Sequence, residues 1–168
     1  MAIVSDLWAR VAVGERDLVL QFMTEPPVKV GELATRLGLR VLRSPLEPNI
    51  SGLIQPSDQA ASGFEIRVNK FESPERQRFT VAHEIAHYLL HRLDIGKGVV
   101  DSIMYRSALT SRKEVEANRL AAEIVMPYPL IRDRLERIGH RPTEDTASSL
   151  ARDFGVSAPA MRIRLGLS

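Results

Sequence analysis

The stretch RFTVAHEIAHYLLH, Arg78 to His91, constrains this chain more than any other. Three of its four histidines stand there at four-residue intervals, and a glutamate directly follows the first. On a helix, residues i and i+4 lie on one face, so His83 and His87 would present both rings to one point. His–Glu–x–x–His is the spacing with which a helix offers two imidazoles to Zn2+, and Glu84 between them is placed to act as general base. The alternative is a surface helix on which histidines happen to repeat. Val81, Ala82, Ile85, Ala86 and Leu89 argue against it, because they fill the arc opposite the histidines and anchor the helix. His91 continues the row one turn further, too far along the axis for a ligand, and is expected at the rim or surface.

A catalytic zinc site ordinarily takes three protein ligands. The chain has no cysteine, and His140 stands in a Gly/Pro-rich loop, so a carboxylate is the expected third ligand. The segment from Ser111 to Met126 reads as a helix with the apolar stripe Ala117, Leu120, Ala121, Ile124 and Val125. At 100° per residue Glu114 and Asn118 fall within that stripe, whereas Glu116 and Glu123 point to the polar face with Arg119. A carboxylate directed at the core needs a partner, which a metal would provide, and Asn118 one turn on could orient a ligand. Ser111 and Glu114 are also spaced as a capping box, in which Glu114 would only close the helix start.

The other elements follow from periodicity and punctuation. Residues 5–23 read as one amphipathic helix broken at Thr24-Glu25-Pro26-Pro27, and Val30 to Leu37 as a short helix stopped by Gly38. Leu39–Arg43, Gly52–Gln55 and Phe64–Asn69 read as strands of a small antiparallel sheet. Ser73-Pro74-Glu75 is a helix start, with hydroxyl cap, first-position proline and first-turn acid, for a helix running to about His91. Residues 92–110 look loop-like. Pro127-Tyr128-Pro129 ends the 111–126 helix, a short helix follows to Arg137, and two more helical segments form the tail. The fold class is therefore α+β: a mainly helical domain with a small antiparallel sheet over residues 1–138 and a helix-turn-helix-like tail over 139–168.

With 168 residues and 44% apolar content the chain can bury a real core, and its net charge of +2 is too small to argue for nucleic-acid binding. The lack of cysteine excludes disulfide scaffolds, thiolate zinc sites and cysteine catalysis. No apolar run suggests a signal peptide or a membrane span, so the expected location is the cytoplasm.

RQRFTVAHEIAHYLLH, with IRVN (Ile66–Asn69) before it and EVEANRLAAEIVMP (Glu114–Pro127) after it, resembles the ImmA/IrrE family of bacterial metallopeptidases. The resemblance runs from about Val28 to Arg134 and implies a gluzincin-like fold. It implies that Glu114, four positions before the Asn of the A-N-x-x-A-A segment, is the third zinc ligand beside His83 and His87, with Glu84 as catalytic base. It also implies an endopeptidase whose partner is a helix-turn-helix transcriptional repressor, cleaved to derepress stress or mobile-element genes. Candidates for oxyanion stabilisation are Tyr88, His91, Tyr105, Arg106 and His140, with Tyr88 read as a packing residue.

Thr146 to Leu165 has a helix-turn-helix cadence and ends in Arg162 and Arg164. It can be a DNA reader or a helical hairpin packing on the catalytic domain, and the low charge favours the hairpin. A rival of another class is a non-enzymatic regulator or toxin–antitoxin component that binds a repressor partner or DNA.

Overall fold

The computed structural model describes residues 5–95, 111–139 and 141–167. A 3-10 helix (Asp6–Arg10) leads into α1 (Val13–Phe22) and α2 (Val30–Arg36). Three strands follow, β1 (Arg40–Ser44), β2 (Gly52–Pro56) and β3 (Phe64–Asn69). The long α3 (Pro74–Ile95) and α4 (Ser111–Val125) come next, then α5 (Tyr128–Ile138), α6 (Glu144–Phe154) and α7 (Ala158–Arg164). The architecture is α+β, as the sequence implies.

The sheet is mixed rather than antiparallel throughout. Its order is β1-β3-β2, with β2 antiparallel to β3 and β1 parallel to it. Alternation of apolar residues fixes which face of a strand is buried but not which neighbour it takes, and here the last strand is inserted between the first two. The buried Asn69 amide holds the β1–β2 connection in place, donating from Nδ2 to the carbonyls of Leu46, Glu47 and Ile50 at 3.3, 3.2 and 2.9 Å. β2 lies hard against α3. A Cβ at Gly52 would come within 2.4 Å of Thr80 Cγ2 and 2.7 Å of the Arg67 carbonyl oxygen. Only glycine permits that approach.

The N-terminal stretch is two pieces and not one helix. The chain turns extended at Val11 (φ −85°, ψ 135°), between the 3-10 helix and α1. Leu7, Trp8 and Val11 are buried, and Val19 is buried from α1. The break lets consecutive segments enter the core at different angles, which one straight amphipathic face cannot do.

α3 is enclosed on all sides through its middle. Val81, Ala82, Ile85, Ala86 and Leu89 join the apolar core, and the polar His83, Glu84 and His87 are buried as well. α4 packs along α3 and contributes Ala117, Leu120, Ala121 and Ile124, all fully buried. The helix extends four residues past the expected end, although the backbone leaves helical geometry at His91 (φ −129°, ψ 19°).

The tail folds as a short hairpin. Thr143 Oγ1 accepts from the Thr146 amide to start α6, and Ser157 Oγ accepts from the Ala160 amide to start α7. Between them Gly155 is left-handed (φ 67°). Ala147, Leu150, Phe154 and Met161 enter the same buried apolar cluster as α3 and α4. Arg78 of α3 reaches across, donating from Nε to the Gly155 carbonyl at 3.1 Å and from Nη2 to the Val28 carbonyl at 2.8 Å. No helix among the described residues is long and apolar enough to cross a membrane.

Candidate metal centre

One turn of α3 separates His83 from His87, and their rings meet edge to face, with centroids 4.7 Å apart and planes at 85°. The two Nε2 atoms are 3.1 Å apart. Glu114 enters from the first turn of α4, its Oε2 3.2 Å from His83 Nε2 and its Oε1 3.2 Å from His87 Nε2. Among the described residues this is the one His/Asp/Glu group placed to hold a metal ion, its three ligand atoms lying within 4.8 Å of one another. The capping-box alternative for Glu114 depends on the side chain of Ser111, which lies outside the described residues.

The outer nitrogens of both rings are also engaged. His83 Nδ1 lies 2.8 Å from Asn118 Oδ1, an amide oxygen that can only accept. His83 Nδ1 therefore carries a proton, which in the neutral ring leaves the lone pair on Nε2, the nitrogen nearest Glu114. His87 Nδ1 lies 3.0 Å from His91 Nδ1, and His91 Nε2 donates to Glu116 Oε1 at 2.9 Å. Arg10 Nη1 completes the row by donating to Glu116 Oε2 at 2.7 Å. These hydrogen bonds hold the Glu116 carboxyl down to about 2, the Arg10 guanidinium contributing most. Burial moves His91 in the neutral direction, below the usual imidazole range, against the raising effect of its bond to Glu116.

Those contacts correct three expectations. His91 is not at the rim: it is 3% exposed and tied to His87. Glu116 and Glu123 do not face solvent either. Glu123 is buried and accepts from both the amide and the hydroxyl of Ser5, at 3.0 and 2.7 Å. The N-terminal 3-10 helix covers the face of α4 that a helical wheel leaves to water.

Two buried imidazole edges and a half-buried carboxylate, with a protein partner at each outer ring nitrogen, are the donor chemistry of a metal site. Residues 34–166 match the family described as the IrrE N-terminal-like domain, Peptidase_M78. The chain belongs to that family.

Its similarity to individual M78-type proteins covers about half of its length. It is 40% identical over 93 residues to the radiation response metalloprotease IrrE of Deinococcus radiodurans, covering 55% of this chain and 28% of that one. The corresponding protein of Deinococcus deserti is 41% identical over 93 residues, with 55% and 32% covered. Metallopeptidase ImmA of Bacillus subtilis is 33% identical over 89 residues, with 52% and 48% covered. The chain thus spans less than half the length of each of these relatives. A solved structure titled Mycobacterium tuberculosis transcriptional regulator shares the fold, with a TM-score of 0.60 at 18% identity, covering 98% of this chain and 48% of that one.

In this family member a cleft of about 360 Å³ opens beside the donor set, lined by Ser51, Arg76, Phe79, Thr80, His83, Glu114 and Asn118. Glu84 adjoins His83 in the chain and is fully buried. Tyr88 is a packing residue, edge-on to Phe64 at 5.7 Å between centroids and stacked under Arg92 at 4.2 Å. Tyr105, Arg106 and His140 lie outside the described residues. Sequence reasoning misses Arg10 and the joint part of His91 and Glu116. The signal available for His91 is the i, i+4, i+8 row, which continues the metal face rather than leaving it.

Proposed function

We propose that this chain is a zinc-dependent endopeptidase in which His83, His87 and Glu114 hold Zn2+ and Glu84 is the general base. The observation that carries the proposal is the convergence of two imidazole Nε2 atoms and a carboxylate within 3.1–3.2 Å of one another, at the edge of a cleft that His83 and Glu114 help to line. Three electron-pair donors so close repel unless a cation lies among them. The fit to a metal is therefore chemical as well as geometric, and family membership and the metalloprotease names of the relatives agree with it.

Zinc supplies Lewis acidity, which activates water and polarises a carbonyl. The chain's own residues do the rest. Asn118 orients the His83 ring, and the apolar face of α3 fixes the pitch at which both histidines project. Glu84 takes a proton from the attacking water at its carboxylate and passes it to the amine released when the peptide C–N bond breaks.

The substrate we infer is a protein, specifically a helix-turn-helix repressor in the cytoplasm, on the strength of the family resemblance. Residues 139–168 serve as a packing hairpin beside the 1–138 metallopeptidase unit and not as a DNA reader. Supporting this, Arg164 Nε donates to the Met126 carbonyl at 3.0 Å and Arg162 pairs with Glu144 at 3.1 Å.

The test is zinc per chain by plasma mass spectrometry, on the parent, Glu114→Ala and Glu84→Gln, followed by cleavage of a candidate repressor. One zinc is expected in the parent and in Glu84→Gln, and a clear loss in Glu114→Ala. Glu84→Gln should slow cleavage about 10²–10⁴-fold, the contribution of a positioned general base. A parent that takes up no zinc overturns the site and favours a non-enzymatic regulator. A Glu84→Gln variant that cleaves like the parent removes Glu84 from its role.

A further inference from the structure

We infer that Arg10, Glu116 and His91 form a positioning relay that sets the proton on His87 and so makes its inner nitrogen available to a metal. This rests on the reading of His83, His87 and Glu114 as ligands.

The contacts run inward from the surface. The Arg10 guanidinium is a fixed donor, and it clamps Glu116 with Nη1 to Oε2 at 2.7 Å and Nη2 to Oε1 at 3.3 Å. A clamped carboxylate can only accept, so the His91 proton that meets Oε1 at 2.9 Å is on Nε2. A neutral imidazole has one proton, which leaves a lone pair on His91 Nδ1. The hydrogen in the 3.0 Å contact between the two Nδ1 atoms therefore belongs to His87. His87 is then left with its lone pair on Nε2, facing His83 Nε2 and Glu114.

The two ligand histidines are thus oriented by different devices. His83 uses the side-chain amide of Asn118 on α4, at the cleft. His87, fully buried, uses a second imidazole backed by a carboxylate and a guanidinium. The backbone departure at His91 (φ −129°, ψ 19°) accompanies this placement, since it occurs at the residue whose ring meets His87. The negative charge on Glu116 makes His91 a stronger acceptor, which in turn makes His87 a stronger electron-pair donor. Because Arg10 belongs to the N-terminal 3-10 helix, that segment reaches the metal centre without touching it.

Two readouts on the full chain decide the matter. Long-range nitrogen-15 spectra of the imidazoles in metal-free protein report which nitrogen of each histidine carries the proton. The expected pattern is Nδ1 for His83 and His87 and Nε2 for His91. Zinc affinity by competition with a chromophoric chelator is then compared among the parent, His91→Phe, Glu116→Leu and Glu116→Gln. Loss of an orienting partner typically costs about 10–100-fold in metal affinity. His91→Phe and Glu116→Leu should fall in that range, and Glu116→Gln, which keeps an acceptor oxygen toward His91, should recover most of it. If His91→Phe fails to fold, Glu116→Leu at the edge of the cluster carries the test.

A metal-free parent whose His87 proton sits on Nε2 overturns the relay. So does parent-like zinc affinity in folded His91→Phe and Glu116→Leu. Those outcomes leave the ligand set standing, whereas a parent that binds no zinc removes the ligand set and the relay with it.

Discussion

Two of the places where charged or strongly polar side chains are drawn out of water, wholly or in part, are built in opposite ways. Where the tail meets α3 and α5, the groups are guanidiniums, and each meets acceptors. Arg78 donates to the carbonyls of Val28, Phe154 and Gly155, and Arg164 donates to the Met126 carbonyl with the Tyr128 ring beneath it. Burial lowers both guanidiniums from their ordinary range, and they still remain the obvious partners for those carbonyls. Between α3 and α4 the groups are imidazoles and carboxylates, and their nitrogens and oxygens converge to 3.1–3.2 Å of one another. A cation surrounded by acceptors is a structural joint. Acceptors gathered around a common point are the arrangement that a metal ion would require. The distinction lies in the sign of the charge, and burial alone does not reveal it.

The largest effect that sharpens this contrast should come from adding the metal. Zinc at a free concentration one hundred times its dissociation constant should stabilise the folded parent by about 2.7 kcal/mol, through binding to the native state alone. Glu114→Ala should lose most of that gain. Its metal-free stability should stay near the parent's or exceed it, since one of the mutually repelling groups is gone. Thermal unfolding with and without zinc, each in the presence and absence of chelator, measures both quantities. A metal-free Glu114→Ala several degrees less stable than the metal-free parent would mean that Glu114 is a structural joint after all.

How far the sequence carries depends on whether a feature is local. The i and i+4 spacing of His83 and His87 and the Ser73-Pro74-Glu75 helix start are properties of one segment, and the structure has a helix there. Glu114 is directed from the helical wheel of α4 toward α3, where its oxygens meet both rings. A wheel fails when another part of the chain covers the face it assigns to water. That is the case for Glu116 and Glu123, which meet Arg10 and Ser5 from segments more than a hundred residues earlier. The sequence places His91 at the surface for the same reason: beyond His87 of its own helix, what covers it is Glu116 of α4. The mixed sheet is a further instance, because strand order is decided by the β1–β2 connection that Asn69 ties down. Apolar alternation within a strand carries no trace of that.

The next effect tests the structural side. Arg78→Met keeps much of the side chain's bulk and removes its donors, leaving the carbonyls of Val28, Phe154 and Gly155 without the guanidinium. Loss of hydrogen bonds from a charged donor to buried acceptors should cost about 2 kcal/mol, read from the urea midpoint at constant slope. Zinc content should stay at the parent value, although Arg78 lies on the same helix as His83. If zinc were lost along with stability, the two regions would be one cooperative unit and not two differently built ones.

The smallest effect is a coupling. Gly155 is left-handed (φ 67°), and a Cβ there would meet Arg78 Nε at 2.8 Å. Gly155→Ala therefore carries two penalties, the backbone cost of a left-handed alanine, about 1–2 kcal/mol, and the displacement of a pinned guanidinium. Only the second depends on Arg78. In an Arg78→Met background the flexible thioether can yield, so Gly155→Ala should cost less there than in the parent, by about 0.5 kcal/mol or more. A double-mutant cycle on urea unfolding isolates that difference. Equal costs in the two backgrounds would show that Gly155 is required by backbone conformation alone. The close approach of α3 to the tail would then be tolerant, and the Arg78 joint weaker than its three carbonyl contacts imply.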